Sequence, residues 1–406
     1  MVRANSLLYA IYVCLLIGVL IGALLMLSNL YSQLNVYYAT YEQLYTNNLS
    51  TVNYAFGNQL IPEEEALHDD NTGIQSNFTT KKHGLHTILL TQSFTQKDTV
   101  KSAHFVGKVT TRKEALYVSN YRQPLNVSGN VSVIGDSFLA YKDVKQIHIE
   151  NKPNIITFQG RKEISEVQLP QLSVDYFKLF ENTNTTRTTF EQLEPLNDSL
   201  YFNSFFNETI EIVVSNPFLN HKIAKGNFII SAKDSIVIGK NAQLEDVIIK
   251  APKVRIESGF EGTIQILASE QIYVGKDVTL NYPSALCLYN NTSNKKATVF
   301  LDEAVAIEGL ILCFGNDIKH LSNNVIQTSK NNLILGIIYS SGEISLNGTV
   351  KGGVYASKLI HRTNSANYSN CLANVNIDVT KKPSFFIDFP LFNTNDQRYG
   401  IIKKIL

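Results

Sequence analysis

Three histidines and a scatter of carboxylates are the first places to look for chemistry in this 406-residue chain. His83-x-x-His86, with His104 further on, has a spacing that suits a pair of metal ligands, but no cysteine or third ligand lies close in sequence. Exposed or partner-satisfied histidines are the plainer reading, so no metal is assigned. Asp234, Glu245, Asp246, Glu257, Glu261, Glu270 and Asp277 could line a groove that cleaves polysaccharide, a reaction that needs paired carboxylates. Most of them sit at corners or beside turns, where solvation explains them. No Gly-x-Ser-x-Gly elbow, His-Glu-x-x-His helix or phosphate-binding glycine loop occurs. A non-enzymatic protein without catalytic residue or cofactor is expected.

Cysteine chemistry is the remaining option. Cys14 falls in an apolar N-terminal run, which leaves Cys287, Cys313 and Cys371, an odd number for an oxidising compartment. If the β repeats described below stack, Cys287 and Cys313 approach one another and form a candidate disulfide. Buried free thiols, which pack as small apolar residues, are the alternative.

The elements that must carry these residues begin with Ser6–Leu27, an uncharged apolar run long enough to cross a hydrocarbon core that needs about 20 residues. A cleaved signal peptide would have a shorter apolar core followed by a small-x-small site, which Leu25-Met26-Leu27-Ser28-Asn29 does not offer. Arg3 precedes the run, and no Lys or Arg follows until Lys81. The positive-inside rule then puts the N-terminus in the cytoplasm and nearly the whole chain across the membrane. The overall balance of 36 basic against 35 acidic residues excludes a sequence-wide field for nucleic acid.

No Gly or Pro interrupts the chain from Ala23 to Phe56, and Leu34, Tyr38, Tyr41, Tyr45, Leu49, Val52 and Phe56 recur in steps of four and three. That spacing predicts a helical stalk with one apolar-aromatic stripe, ending at Gly57. The stripe packs either on the protein's own domain or on partner helices. Gly18 and Gly22, spaced as Gly-x-x-x-Gly, would permit close helix contact within the membrane. Gly18, Gly22, Tyr38, Tyr41, Tyr45, Leu49 and Val52 are thus the candidate helix-packing interface.

Beyond residue 80 the sequence is mainly β. Ile236-x-Ile238, Val254-x-Ile256 and Ile272-x-Val274 recur 18 residues apart, and Val299-x-Leu301 is a further copy shifted by an insertion at Asn290–Thr298. A fixed period with corner Gly and Asn predicts a parallel β-helix-like domain with rungs of about 18 residues. A β-sandwich of hairpins is the competing fold, but it requires no constant spacing. Leu125–Val133 and Ile344–Ala356 read as additional rungs. The chain divides into a cytoplasmic tip (1–5), a transmembrane helix (6–28), a stalk (29–57), a linker (58–80), a β-rich proximal region (81–225), β-helix repeats (226–360) and a C-terminal extension (361–406).

The stretch Leu346-Asn347-Gly348-Thr349-Val350-Lys351-Gly352 resembles the bactofilins, polymer-forming bacterial β-helix proteins. Gln123-Pro124-Leu125, Val167-Gln168-Leu169-Pro170, Asn281-Tyr282-Pro283-Ser284-Ala285-Leu286 and Phe385-Phe386-Ile387-Asp388-Phe389-Pro390-Leu391 resemble a family of single-pass membrane proteins of Bacteroidota. That family looks organised like the minor pseudopilins of type II secretion and type IV pilus machines. The chain departs from true prepilins, because Arg3-Ala4-Asn5-Ser6-Leu7-Leu8 has neither the Gly cleavage site nor the Glu that follows it. The resemblance implies a membrane-anchored structural or assembly component of an envelope apparatus, partnered by other envelope proteins or by itself. A membrane-tethered β-helix that binds or cleaves polysaccharide, and a bactofilin-like self-polymerising scaffold, are the alternatives.

Overall fold

The computed structural model describes residues 4–61, 67–69, 72–109, 113–149, 153–172, 175–180, 185–196, 199–292, 295–315, 322–382, 392 and 398–405. The acidic Pro62–Glu65 run and the Phe385–Leu391 segment lie outside them. The protein is mainly β, with one long N-terminal apolar helix and a large parallel sheet. It forms two compact units, one covering Met1–Thr79 and Leu90–Ser102 with Leu406, the other Thr80–Leu89 and Ala103–Ile405.

The first unit is built on the helix Ala4–Gly57, 54 residues long and therefore about 80 Å. Its apolar N-terminal stretch is long and apolar enough to cross a membrane. The helix ends at Gly57, and the chain turns out of it just beyond. Gln59 (φ 55°) and Leu60 (φ 61°) adopt the left-handed conformation, and the Leu60 N–H donates to the Ala55 carbonyl at 2.8 Å. Leu44, Asn48, Thr51, Val52 and Ala55 are buried and share one face by their spacing. Leu44 packs with Ile74 and Val100 from the adjoining strands.

The strand Ile74–His83 begins inside the segment expected to be linker. Ile74, Ser76 and Phe78 are buried in alternation, and the polar Ser76 hides that period in the sequence. Leu67–Asp69 pairs antiparallel with its first residues.

In the second unit, parallel pairs form three ladders. The longest joins Thr186–Thr188, Ile210–Val213, Phe228–Ser231 and then the second halves of Gln243–Lys250, Glu261–Ala268, Thr279–Asn290, Ala306–Gly315 and Leu333–Ser345. It continues through Gly348–Arg362 to Glu114–Val118, Asp136–Leu139 and Lys162–Ile164. A second ladder runs from Leu200–Asn203 through Ile223–Gly226 and the first halves of the same long strands to Cys371–Asp378, Asn126–Ile134 and Ile155–Gln159.

The third ladder holds the repeat read from the sequence. Ile236, Val254, Ile272, Val299, Ile326, Ile344 and Leu359 stand in register as one buried column. Each contributes a fully buried aliphatic side chain, about 1.5–3 kcal/mol of apolar transfer against the exposed state. The order of strands differs from the order of the sequence: the segment Glu114–Ile164 stacks beyond Gly348–Asp378, although it precedes it in the chain, the paired Leu116 and Val354 being 238 positions apart.

Bends between ladders bring backbone close to backbone. Gly309 (φ 150°) lies against the Ser284 carbonyl oxygen, where a Cβ would collide with it.

Candidate functional site

The helix presents two kinds of surface. From Leu7 to Tyr38 its apolar side chains are exposed within the chain, and an added Cβ at Gly18 or Gly22 would meet nothing within 4 Å. Toward the C-terminus the buried face carries a polar centre that the sequence did not single out. The Asn48 side-chain carbonyl accepts from the Ser102 hydroxyl at 2.7 Å and from the Thr91 hydroxyl at 3.1 Å, and its amide donates to the Val100 carbonyl at 3.4 Å. An asparagine in an Asn-rich chain carries little signal in the sequence.

Of the expected aromatic stripe only Val52 belongs to this buried face. Tyr38 is 65% exposed and Tyr41 49%, while Tyr45 and Leu49 are each 44% exposed. They lie to one side of the face that packs on the strands, so the stripe is largely presented outward. Tyr37 stacks on Tyr41 with ring centroids 6.3 Å apart, which stiffens this part of the surface.

No group of three metal-ligating side chains occurs among the described residues, and in the second unit His83 and His86 have main-chain partners. The two rings are buried against Phe105, with centroids at 6.2 and 4.6 Å. The His83 Nε2 donates to the Asp246 carbonyl at 2.9 Å and the His86 Nε2 to the Pro283 carbonyl at 3.1 Å, both main-chain acceptors in the long parallel strands. Gln265 completes the clamp by accepting from the Leu85 N–H at 2.7 Å and donating to the His83 carbonyl at 3.1 Å. Burial drives the His83 pKa down to about 4 and that of His86 to about 3, so both rings are neutral.

The carboxylates separate by environment. Asp234, Glu261 and Asp277 are exposed, and Glu270 meets Lys253 and Lys295 at 3.4 and 3.6 Å. Asp246 departs from the solvated-corner expectation: its side chain is 1% exposed and receives Lys403 at 2.8 Å. Lys403 also donates to Glu245 at 2.9 Å. Burial raises the Asp246 pKa and Lys403 opposes that shift, while the two carboxylates hold Lys403 protonated. The strand Tyr399–Lys404 that carries this lysine pairs antiparallel with the Thr99–Lys108 strand at His104–Lys108. The basic apolar tail therefore has a defined place in a sheet.

The Cys287–Cys313 bond suggested by stacking is not formed; both are free, buried thiols. Cys287 pairs in register with Leu312 and Cys313 with Leu288, so the two side chains point to opposite faces of the ladder. Cys313 joins the enclosed aliphatic core and Cys287 a second apolar cluster with Tyr339 and Phe314. Burial raises both thiol pKa values.

No protein family, curated protein or solved structure matches this chain.

Proposed function

We propose that the protein is a membrane-anchored structural or assembly component of a bacterial envelope apparatus, organised like a minor pseudopilin. In this reading the N-terminal half of the helix sits in the inner membrane and the bulk of the chain lies in the periplasm. The observation that carries it is the divided use of one helix. Its apolar half is exposed with respect to the described residues, whereas Leu44 and Asn48 fasten its far half to the adjoining strands, with Thr51, Val52 and Ala55 buried on the same face. A helix built only to tether a domain needs no apolar-aromatic surface beyond the bilayer, yet Tyr38, Tyr41 and Leu49 extend one outward. Partner helices are the occupants that such a stripe suits, with Gly18 and Gly22 admitting a close neighbour inside the membrane.

The parallel ladders support a β-helix head wound from rungs of about 18 residues, lengthened where loops are inserted. In this role the protein binds other proteins and transforms no substrate. Extraction in mild detergent tests the reading: co-purification of defined secretion or pilus components supports it, and recovery as an isolated monomer opposes it.

Self-association through the head is a second reading, favoured by the ends of the ladders. Ile155 and Ile164, on the terminal strands at one end, are 60% and 61% exposed; Phe202, Val213 and Phe218, near the other, are 40%, 39% and 43% exposed. Open parallel edges of this kind can pair with a second copy. Filaments of the full-length protein seen by electron microscopy would favour this reading over the first.

A further inference from the structure

The second unit contains a polar cleft of about 1410 Å³. Its floor follows the second ladder, where Leu333, Thr349, Asn376 and Ser132 stand in register on successive strands about 4.8 Å apart. Asparagines turn the corner beside this floor: Asn331 (φ 61°) and Asn374 (φ 56°) are left-handed and exposed, with Asn130 exposed next to Asn374. The hairpin of Ile360–Arg362 and Asn367–Ser369 contributes Arg362 and Tyr368 to the lining.

Charge in the cleft is one-sided. Among the described residues, Lys330, Lys351, Lys381 and Arg362 line it, against one carboxylate, Glu303. Arg362 is engaged by Glu343 at 3.2 Å, Lys381 by Asp378 at 3.4 Å, and Glu303 by Lys276 at 3.7 Å. Lys330 and Lys351 have no ion-pair partner among the described residues.

We propose that this cleft binds an acidic polysaccharide, a chain of sugars bearing carboxylates. Amides and hydroxyls in a row both donate and accept, as the hydroxyls of successive sugar rings require. Lys330 and Lys351 supply the counter-charges for carboxylates, and Tyr368 offers a ring face. A single-stranded nucleic acid would need several stacking aromatics, and Tyr368 is the only Phe, Tyr or Trp among the described lining residues. A protein partner would need an apolar centre, which a cleft lined mainly by Asn, Ser, Thr and Lys does not provide. Glycoside hydrolysis calls for two carboxyl groups flanking the bond, whereas Glu303 is the one carboxylate among the described lining residues, so the proposal is for a ligand that is held.

The test is a fluorescence-anisotropy titration of the full-length protein in detergent with labelled oligogalacturonate. Its methyl-ester counterpart, a single-stranded oligonucleotide and a polyglutamate peptide serve as rival ligands. Saturable binding of oligogalacturonate that weakens with salt is expected, with at least about tenfold weaker binding of the neutral ester. The double substitution Lys330→Gln/Lys351→Gln removes the exposed Lys330 charge and the half-buried Lys351 charge and should weaken binding roughly five- to tenfold. Absence of binding, equal binding of the ester, tighter binding of the oligonucleotide or peptide, or an unchanged double variant overturns the proposal. The ester comparison uses the unaltered protein, so it decides the matter even if the variant misfolds.

Discussion

Lys403 donates to Asp246 at 2.8 Å although the acceptor side chain is 1% exposed, so the last described strand, Tyr399–Lys404, is held by a buried charge. Removing one partner of such a pair leaves the other charged and desolvated, which costs about 3–5 kcal/mol where the pair is fully enclosed. Lys403 is about a quarter exposed, so Lys403→Met should lie at or below the lower end of that range in a urea titration. Adding Asp246→Asn should recover part of the loss, because asparagine tolerates the left-handed backbone at this position (φ 59°) without a charge. A Lys403→Met variant as stable as the parent would show that the pair contributes nothing.

The neutral histidines make stability depend on pH. Unfolded histidines bind protons below about 6.5, whereas folded His83 does so only near pH 4 and His86 near pH 3. Between those values the unfolded state holds more protons, so stability rises with pH and is lost as pH falls from about 6.5 toward 4. Chemical unfolding at pH 7 and pH 5 should differ by about 2 kcal/mol or more, an order-of-magnitude figure for two groups. His83→Gln/His86→Gln should flatten that slope, and an equal slope in the variant would contradict the assignment.

Gly309→Ala is expected to destabilise the second unit by about 2 kcal/mol or more, because its Cβ would meet the Ser284 carbonyl oxygen. Gly22→Ala, where the space around the backbone is open within the chain, should leave the same unfolding transition unmoved. Thermal unfolding of the two variants side by side checks the contrast.

Cys287 and Cys313 should resist labelling by a maleimide in the folded protein and react fully after denaturation, in a Cys14→Ser background. Migration on a non-reducing gel should not change on reduction. A reducible band shift would restore the disulfide.

The legible parts of this fold are those where one residue type repeats at one spacing. The column Ile236, Val254, Ile272 and Val299 was readable because apolar residues at a fixed period have few competing explanations. The apolar helix was readable for the same reason. Stacking of Glu114–Ile164 beyond Gly348–Asp378 was not, since chain order carries no information on which rung a distant strand joins. The burial of Asp246 and of Asn48 is not legible in the sequence, because a polar residue looks the same there whether water or a buried partner satisfies it. The polar cleft escaped notice because Thr349, Asn376 and Ser132 come from three strands that only the register aligns.

Photo-crosslinking from the stalk tests the assembly role most directly. A photo-reactive residue is placed at Tyr38, Tyr41 or Leu49 of the full-length protein in its native membrane, with Leu44, on the buried face, as the internal control. Discrete adducts with another envelope protein's helix, or with a second copy, are expected from the three outward positions and not from Leu44. Absence of adducts from all three, with the protein extracting as a monomer, would contradict the proposal that this helix is an assembly surface.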